Sequence, residues 1–472
     1  MQAEQIVWDQ ALIEKYNYSG PRYTSYPTAL EFNEGFGYPD FVQAAGQYPA
    51  RNLSLYVHIP FCHKLCYYCG CNKVITRHQH KADQYLDYLE QEIKAQAPLF
   101  KDRLVTQLHW GGGTPTYLNE GQTRRLMAIL REHFQFADAG EISIEVDPRE
   151  IELSMLDVLR ELGFNRISLG VQDFNKAVQV AVNREQDNDF IRAMLERARS
   201  LGFRSTNLDL IYGLPHQNRE SFHHTLEEVL KTDPARLSIF NYAHLPSRFA
   251  AQHKLKEEDM PAPREKLAML QDTIAFLTGQ GYQFIGMDHF AKPDDELAVA
   301  QRAGRLHRNF QGYSTHADCD MLSFGISSIS KVGTAYWQNA KTLDEYYAAL
   351  DAGELPVLRG IELTPDDQLR RAVIQQLIDS GLISNAADLY SLHAADVAKL
   401  DRMGEKSAEN LIRAIENSDV CILMLDAERG IEAQDLNIFQ LIQRNNKSLV
   451  VVVNKWDLVE DKTTVVMNEY EY

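Results

Sequence analysis

The hydrophobic positions between residues 52 and 290 alternate between two patterns. Short runs rich in β-branched and aromatic residues predict strands, and longer segments with apolar residues every three or four positions predict amphipathic helices. The predicted strands are 53–59, 105–110, 142–146, 166–171, 205–212, 236–242 and 283–290, and the predicted helices include 83–96, 124–134 and 265–277. Strands that alternate with helices predict a parallel sheet with crossover helices, and hence an α/β barrel or partial barrel.

The same pattern divides the chain into regions. Residues 1–50 precede the first predicted strand and include the loop-like segment GPRYTSYPTA, so we interpret them as an N-terminal arm. The barrel domain with its C-terminal extension is predicted at 51–375, with a further helical stretch at 343–350. In such folds the functional side chains lie at the C-terminal ends of the strands, so a motif that follows a strand is a stronger candidate.

Composition and charge narrow the class of protein. The chain has 472 residues, of which 44% are hydrophobic and 24% are charged, as in ordinary globular proteins. Its net charge of −18 argues against general nucleic-acid binding, which needs a basic face. No signal peptide and no apolar run long enough to span a bilayer is found. We therefore expect a cytoplasmic protein that binds neither nucleic acid nor membranes, and we take it to be a monomer.

Four of the six cysteines lie in CHKLCYYCGC at 62–71, directly after the first predicted strand. Cys62, Cys66 and Cys69 have C-x3-C-x2-C spacing, and three thiolates can bind three irons of a cubane cluster while the fourth iron stays open. The alternative is a structural zinc site, but such sites usually have a second Cys/His pair across a longer spacer, which this sequence lacks. The zinc ligands would come from Cys62, Cys66, Cys69, Cys71, His58 and His63.

The cysteine spacing resembles the defining motif of the radical S-adenosylmethionine (SAM) superfamily. That resemblance implies that the open iron binds SAM and that reductive cleavage yields a 5′-deoxyadenosyl radical. Tyr68 resembles the aromatic residue near the adenine in this superfamily, although an ordinary packing tyrosine is the alternative. The segment HWGGGTPT at 109–116 resembles the superfamily's glycine-rich segment that contacts the methionyl amino group. Taken alone, a glycine-rich turn after a strand is weak evidence.

Longer segments resemble one family, the oxygen-independent coproporphyrinogen III oxidases (coproporphyrinogen dehydrogenases) of haem biosynthesis, over residues 1–375. They include KYNYSGPRYTSYPTALEF (15–32), LYVHIPFCHKLCYYCGCNK (55–73), LHWGGGTPTYLN (108–119), ISIEVDPREIE (142–152), LDLIYGLP (208–215) and LHRNFQGYST (306–315). The resemblance implies an oxidoreductase that converts coproporphyrinogen III to protoporphyrinogen IX by oxidative decarboxylation of two propionates to vinyl groups. A non-catalytic haem-binding or chaperone-like relative is the alternative.

The resemblance also implies cofactors and binding residues. They are one 4Fe-4S cluster, two SAM molecules, an electron donor for the cluster and a terminal electron acceptor. For the cluster-bound SAM the matching positions are Tyr56, Tyr68, Gly112, Glu145 and Ile329. For the second SAM they are Gly113, Thr114, Gln172, Arg184, Asp209 and Ala243. Because Arg184 and Asp209 follow later strands, we expect both to lie away from the thiols.

Catalytic and substrate-binding residues are less clearly marked. The candidate catalytic residues are Cys71 and Glu145, and Cys71 is either a structural thiol or a redox or proton-handling group. The substrate carries four carboxylates, so cationic and hydroxyl groups are expected in its pocket. Arg22, Tyr23 and Tyr26 of the N-terminal arm are the candidates.

The chain changes character beyond residue 375. Residues 377–418 resemble the helix-hairpin-helix region of NAD-dependent DNA ligase, and 419–461 resemble the second GTPase domain of a tandem-GTPase ribosome-assembly factor. NKWD at 454–457 matches the guanine-specificity motif, but no G-x4-G-K-[ST] phosphate loop precedes it. We therefore expect an atypical α/β tail made of two fragments, 376–418 and 419–472, that does not bind GTP. A genuine fusion with retained function is the alternative.

Overall fold

The computed structural model describes residues 26–48, 50–309, 312–316, 319–368, 370–371, 420–426 and 448–454. The chain divides into two compact units, Met1–Arg371 and Ala372–Tyr472. Arg22 and Tyr23 of the N-terminal arm lie outside the described residues, whereas Tyr26 is described and half-buried. Among the described residues, no helix has both the length and the apolar character that crossing a bilayer would require.

The first unit is built on an open sheet of twelve strands. The strands of the unit are β1 (Leu53–Ile59), β2 (Phe61–Cys62), β3 (Val74–Ile75), β4 (Leu104–Gly112), β5 (Gln135–Val146), β6 (Arg166–Gln172), β7 (Ser205–Tyr212), β8 (Arg236–Asn241), β9 (Gln283–Gly286), β10 (His289–Ala291), β11 (His307–Asn309), β12 (Gly312–Ser314), β13 (Asp320–Phe324), β14 (Ile329–Val332), β15 (Ala335–Asn339) and β16 (Val357–Glu362). Their order in the large sheet is β16-β15-β14-β13-β1-β4-β5-β6-β7-β8-β10-β9. Two short pairs, β2 with β3 and β11 with β12, stand apart from it.

Helices connect the parallel strands. They are α1 (Tyr38–Gln47), α2 (His80–Gln96), α3 (Glu120–His133), α4 (Leu153–Glu161), α5 (Lys176–Ala181), α6 (Asn188–Ser200), α7 (Arg219–Leu230), α8 (Pro263–Gly279), α9 (Glu296–Arg302) and α10 (Leu343–Asp351). Short 3-10 helices lie at Ala29–Glu31, Ala97–Phe100, Pro115–Tyr117, Ala250–Lys254 and Glu257–Asp259. From β1 through β8 each parallel pair is joined through at least one helix, so the predicted α/β fold with alternating strands and helices is confirmed.

The sequence predicted a parallel sheet, and the structure adds antiparallel strands at both of its edges. The predicted strand 283–290 is a hairpin of β9 and β10, and β10 pairs antiparallel with β8. The chain reverses there because Gly286 and Met287 both have positive φ angles, +130° and +50°. At the other edge β14, β15 and β16 form antiparallel pairs that extend from β13. No sequence pattern had indicated these edge strands.

The two faces of the parallel strands differ in chemistry because side chains alternate between faces along a strand. One face is apolar and belongs to the main core together with residues of the helices. Its buried side chains include Leu55, Val57, Leu108, Trp110, Ile144, Leu169, Leu208 and Ile239. The opposite face, called the polar face below, carries Tyr56, Gln107, His109, Ser143, Glu145, Ser168, Asn207, Asp209, Ser238 and His289. The candidate site lies on this second face.

In the second unit the structure describes two strands, β17 (Val420–Asp426) and β18 (Ser448–Asn454), which pair in parallel. The predicted fragment 376–418 lies outside the described residues. Of the NKWD motif, only Asn454 is described.

Candidate active site

The cysteine-containing loop is anchored at its base and at its side. It runs from β2 to β3, and the backbone N–H of Thr76 donates to the carbonyl of Cys62 at 3.0 Å. The Tyr67 N–H donates to the Val182 carbonyl at 3.0 Å, so the loop also rests against the end of α5. A loop held on two sides can present its thiols in a fixed arrangement beside the polar face.

The thiols differ in their surroundings. Cys62 and Cys66 are buried, Cys69 is half-buried and Cys71 is exposed, and none is in a disulfide. Burial raises the pKa of Cys62 to about 12, an effect that a hydrogen bond from Thr114 opposes and that the Cys69 and Cys66 thiols increase. The Cys71 thiol donates to Cys69 and, as the largest cause, lowers the pKa of Cys69 to about 6. The same bond raises the pKa of Cys71. The structure therefore places Cys71 beside a candidate cluster ligand.

Two guanidinium groups face Cys66. Its Sγ accepts a hydrogen bond from Arg149 Nη2 at 3.3 Å and another from Arg184 Nη1 at 3.4 Å. Asp147 Oδ2 binds both arginines, at 2.6 Å and 3.1 Å respectively. Donors of this kind stabilise a thiolate. The expectation that Arg184 lies away from the thiols was wrong, because the turn after α5 returns its side chain to the cysteine loop.

No set of three or more His, Cys, Asp or Glu side chains in the described part of the chain is arranged to hold a single metal ion. A mononuclear zinc site would need its ligands to converge on one point. The three thiolates of a cubane cluster each bind a different iron and need not converge. Three thiols on one short loop are the donor set that a cubane cluster uses.

The glycine-rich segment is constrained by its own neighbours. Gly112 has a φ of +117°, and a Cβ there would lie 2.7 Å from the His58 ring. A Cβ on Gly113 would lie 2.5 Å from the carbonyl oxygen of Pro60. Both glycines are required for β4 to approach the end of β1 so closely. This close approach brings the Gly112 N–H to within 3.2 Å of Glu145 Oε2.

Glu145, Gly112 and Tyr56 form one connected group through a histidine. His109 Nε2 lies 3.4 Å from Glu145 Oε1, and its Nδ1 lies 2.8 Å from Ser143 Oγ. The Tyr56 ring stacks on the His109 ring with centroids 5.9 Å apart. The sequence interpretation did not identify His109. The sequence could have indicated this residue, because His109 lies two positions before Gly111 on β4 and therefore on the polar face.

The residues assigned to the second SAM lie nearby but form separate groups. Asp209 accepts hydrogen bonds from Ser168 Oγ at 2.8 Å and Asn207 Nδ2 at 2.7 Å, and burial raises its pKa to about 6. Gln172 Nε2 and Arg184 Nη2 both lie 2.9 Å from the place where a Cβ on Gly170 would be. Gly170 therefore provides the space in which those two side chains meet.

Three other candidates have mainly packing or backbone contacts. Tyr68 packs against a small apolar cluster that includes Val182, as its alternative interpretation requires. Gln252 Nε2 donates to the backbone carbonyls of Tyr68 at 3.0 Å and Ala243 at 3.3 Å, which links these two candidates. Ile329 begins β14 and packs with a separate cluster at the edge of the sheet.

Known proteins of one family are similar to this chain. The model of the radical SAM superfamily matches residues 56–229. The oxygen-independent coproporphyrinogen III oxidase of Escherichia coli (strain K12) is 65% identical over 398 residues, which cover 84% of this chain and 87% of that protein. The enzyme of the same name from Pseudomonas aeruginosa is 53% identical over 378 residues, or 79% of this chain and 82% of that protein.

One solved structure and a second family model also match the chain. The solved structure, coproporphyrinogen III oxidase from Escherichia coli, is described as a radical SAM enzyme. It matches with a TM-score of 0.77 and 61% identity, covering 84% of this chain and 92% of that one. The model of the elongation factor Tu GTP-binding domain matches residues 393–472.

Proposed function

Because the chain belongs to the family of oxygen-independent coproporphyrinogen III oxidases, we propose that its polar face binds coproporphyrinogen III and decarboxylates two of its propionates to vinyl groups. The protein is a radical SAM oxidoreductase of porphyrin and haem biosynthesis, and it uses a 4Fe-4S cluster and SAM. One observation supports the proposal. The cysteine loop, the Gly112 turn and the Glu145 carboxylate meet at one end of the parallel strands.

The thiols of Cys62, Cys66 and Cys69 would hold the cluster. When bound, the reduced cluster and SAM supply the radical that removes a hydrogen from the substrate. Arg149 and Arg184 donate hydrogen bonds to the Cys66 sulfur and so fix its position. Thr114 Oγ1 donates to the Cys62 sulfur at 3.4 Å and fixes that ligand in the same way.

Glu145 is arranged to bind a cationic or hydroxyl-bearing ligand. The Gly112 N–H and His109 fix one side of its carboxylate, while its side chain is 45% exposed and keeps acceptor sites free. In this proposal it accepts from an ammonium group or from ribose hydroxyls of SAM. His109 is a positioning residue, since it contacts Glu145, Ser143 and the Tyr56 ring.

A second SAM molecule is proposed near Gly170. Gln172 and Arg184 meet there, and Asp209 on the neighbouring strand carries further acceptor oxygens. An electron donor for the cluster and a terminal electron acceptor are also required, because each decarboxylation releases one electron after the hydrogen is removed.

The test is anaerobic reconstitution of the full chain, followed by a product assay with coproporphyrinogen III, SAM and a chemical reductant. We expect about four irons per chain, loss of this iron in C66S, and formation of divinyl product measured by chromatography and mass spectrometry. Stoichiometric zinc without iron would contradict the cluster assignment. Tight haem binding without vinyl formation would favour the non-catalytic relative instead.

A further inference from the structure

The β11–β12 hairpin lies against the polar face. Ser314 Oγ is 3.5 Å from Gln107 Nε2 of β4, and the Tyr313 ring packs edge-on against His289 of β10 with centroids 5.1 Å apart. Gln107 and His289 belong to strands on either side of the parallel sheet, so the hairpin reaches across the face that carries the candidate site. Its side chains are placed to contact a substrate bound there.

Arg308 on this hairpin is half-buried, and part of its guanidinium is enclosed by the protein. Its guanidinium lies over the Tyr313 ring, with Cζ 4.9 Å from the centroid, and its Nε and Nη1 atoms are buried without a hydrogen-bond partner. Arg166 and Arg236 also have a buried unpartnered nitrogen, but Arg166 is ion-paired with Glu141 and Arg236 with Asp295. In the described part of the chain no carboxylate forms an ion pair with Arg308.

Two buried guanidinium nitrogens without a hydrogen-bond partner are unfavourable for the folded protein by themselves. Buried donors in native proteins are almost always paired, and buried charges are paired or bind a ligand. The planar guanidinium is also the side-chain group best suited to carboxylates. The donors of Arg308 therefore indicate an anion that binds at this position.

A second cationic group lies on the other side of the hairpin. His307 and Arg308 are neighbours on β11 and project to opposite faces; Arg308 pairs across the hairpin with Tyr313, and His307 with Ser314. Burial and the positive charges of Lys331 and Arg371 lower the pKa of His307 to about 3, so these two cations lie near it. His307 is consequently neutral, and its buried Nδ1 has no hydrogen-bond partner.

Among the described residues, no carboxylate forms an ion pair with Lys331 or Arg371. Lys331 on β14 pairs across the strands with Tyr336, whose hydroxyl accepts from Arg371 Nη1 at 3.4 Å. Within the described residues the Lys331 ammonium makes no hydrogen bond or ion pair. The nearby Asp320 is already bound to Arg103 at 2.6 Å and to Arg51 at 3.3 Å. Burial, together with the charge of Arg371, lowers the pKa of Lys331 to about 8, which an anion would reverse.

We propose that these two groups are carboxylate-binding positions for the substrate, with Arg308 binding one propionate and Lys331 with Arg371 binding another. This inference rests on the proposed function, because the tetracarboxylate substrate is what supplies anions at two separate places on one rigid ring. Tyr313 supports the Arg308 guanidinium and offers a flat aromatic surface beside it. Arg308 and the Lys331–Arg371 pair lie on opposite sides of the hairpin, so each would contact a different propionate of the ring.

The test measures binding of coproporphyrin III, the oxidised and fluorescent tetracarboxylate, to the reconstituted full chain with SAM present. R308Q and K331M should each raise the Kd by about tenfold, since each removes a charge-assisted contact. R305Q is the matched control, because Arg305 is exposed and precedes Arg308 by three positions; its Kd should equal that of the original chain. Coproporphyrin III tetramethyl ester, which lacks the charges, should not distinguish the original chain from R308Q. R308K, which keeps a cation, should recover part of the affinity.

Thermal stability separates binding from structure. Removal of an unpartnered buried charge should leave the melting temperature of substrate-free R308Q unchanged or raise it, whereas a structural arginine would lower it. Equal Kd values for R308Q, K331M and the original chain would overturn the inference. It would also be overturned if R308Q had a lower melting temperature and lost affinity equally for coproporphyrin III and for its tetramethyl ester. If the original chain forms vinyl product, such results overturn this inference alone. If the original chain neither binds coproporphyrin III nor forms product, the proposed function fails.

Discussion

At the scale of single residues, Asp209 shows how the polar face alters an ordinary carboxylate. It lies on β7 beside Ser168 and Asn207, both of which donate to it, and yet burial raises its pKa to about 6. Burial is therefore the larger effect, because two neutral donors do not replace the lost hydration of a charge. Near neutral pH the carboxylate is charged but only weakly stabilised, and a cationic ligand such as SAM would complete its surroundings.

This environment predicts a pH-dependent effect of D209N. The folded-state pKa of about 6 exceeds the unfolded value of about 3.9, so the native state binds this proton more tightly and loses the corresponding stability as pH rises through 6. From pH 5 to pH 7 the free energy of unfolding of the original chain should fall by about 1 kcal/mol relative to D209N. Denaturant titrations of the cluster-free proteins at both pH values measure this difference. The assignment would be contradicted if the free energy of unfolding of the original chain, relative to that of D209N, stayed constant or rose from pH 5 to pH 7.

The same variant separates the roles of Asp209 and the thiols. Because Asp209 contacts serine and asparagine side chains and no cysteine, D209N should keep the iron content of the original chain while turnover falls. An iron loss as large as that of C66S would show that Asp209 supports the cluster loop. Arg184 cannot serve in this comparison, since it contacts Cys66 directly.

At the scale of elements, helix α2 is fastened to the antiparallel edge of the sheet by one buried carboxylate. Glu92 accepts from the Gly325 N–H at 2.8 Å, the Asn339 amide at 2.7 Å and the Tyr346 hydroxyl at 2.6 Å. Burial raises the pKa of Glu92 to about 7. Gly325 belongs to the turn between β13 and β14, so this carboxylate also fixes the start of β14, which carries Ile329 and Lys331.

We therefore predict that E92A destabilises the protein by about 3 kcal/mol, because four buried donors, those of Gly325, Asn339, Tyr346 and Gln96, lose their acceptor. E90A is the matched control on the same helix, since Glu90 binds Lys94 and Arg125 at the surface and should cost less than about 1 kcal/mol. Unfolding in denaturant gives both values. Similar losses in the two variants would mean that the Glu92 network does not hold the helix to the sheet edge.

At the scale of the whole molecule, the two units differ in their relation to the function. The main core, the cysteine loop and the polar face all lie within Met1–Arg371. The tail matches the elongation factor Tu GTP-binding domain over 393–472, and the sequence before NKWD has no phosphate loop. Base recognition without a phosphate-binding loop does not hold a nucleoside triphosphate.

A chain that ends at residue 375 should therefore keep its iron content and its cleavage of SAM, and the full chain should not bind GTP. Reconstitution of both chains, with assays of 5′-deoxyadenosine and vinyl product, tests the first expectation, and GTP titration tests the second. We expect decarboxylation to be weaker than SAM cleavage in both chains, because the expected two-fragment tail resembles other proteins and would not close over the substrate. Decarboxylation that is complete in the full chain and disappears on truncation would show that the tail is a working domain.

The sequence by itself determined the parts of this protein that depend on neighbouring residues. The spacing of apolar residues predicted the parallel strands from β1 to β8 and helices such as α2, α3 and α8, because burial on one face leaves a period of two or 3.6 in the chain. The cysteine spacing predicted the cluster loop, since its ligands lie within one short segment.

The tertiary structure alone decided which distant side chains meet. Arg149 and Arg184 reach Cys66 across 83 and 118 positions, His109 joins Tyr56 to Glu145, and β9 and β10 form an antiparallel hairpin where one strand was predicted. Strand order and register determine these contacts, and both arise from pairing between segments far apart in the chain, which leaves no local period to read. For the same reason the lack of an ion pair between Arg308 and a carboxylate of the described residues is seen only once the hairpin is placed on the polar face.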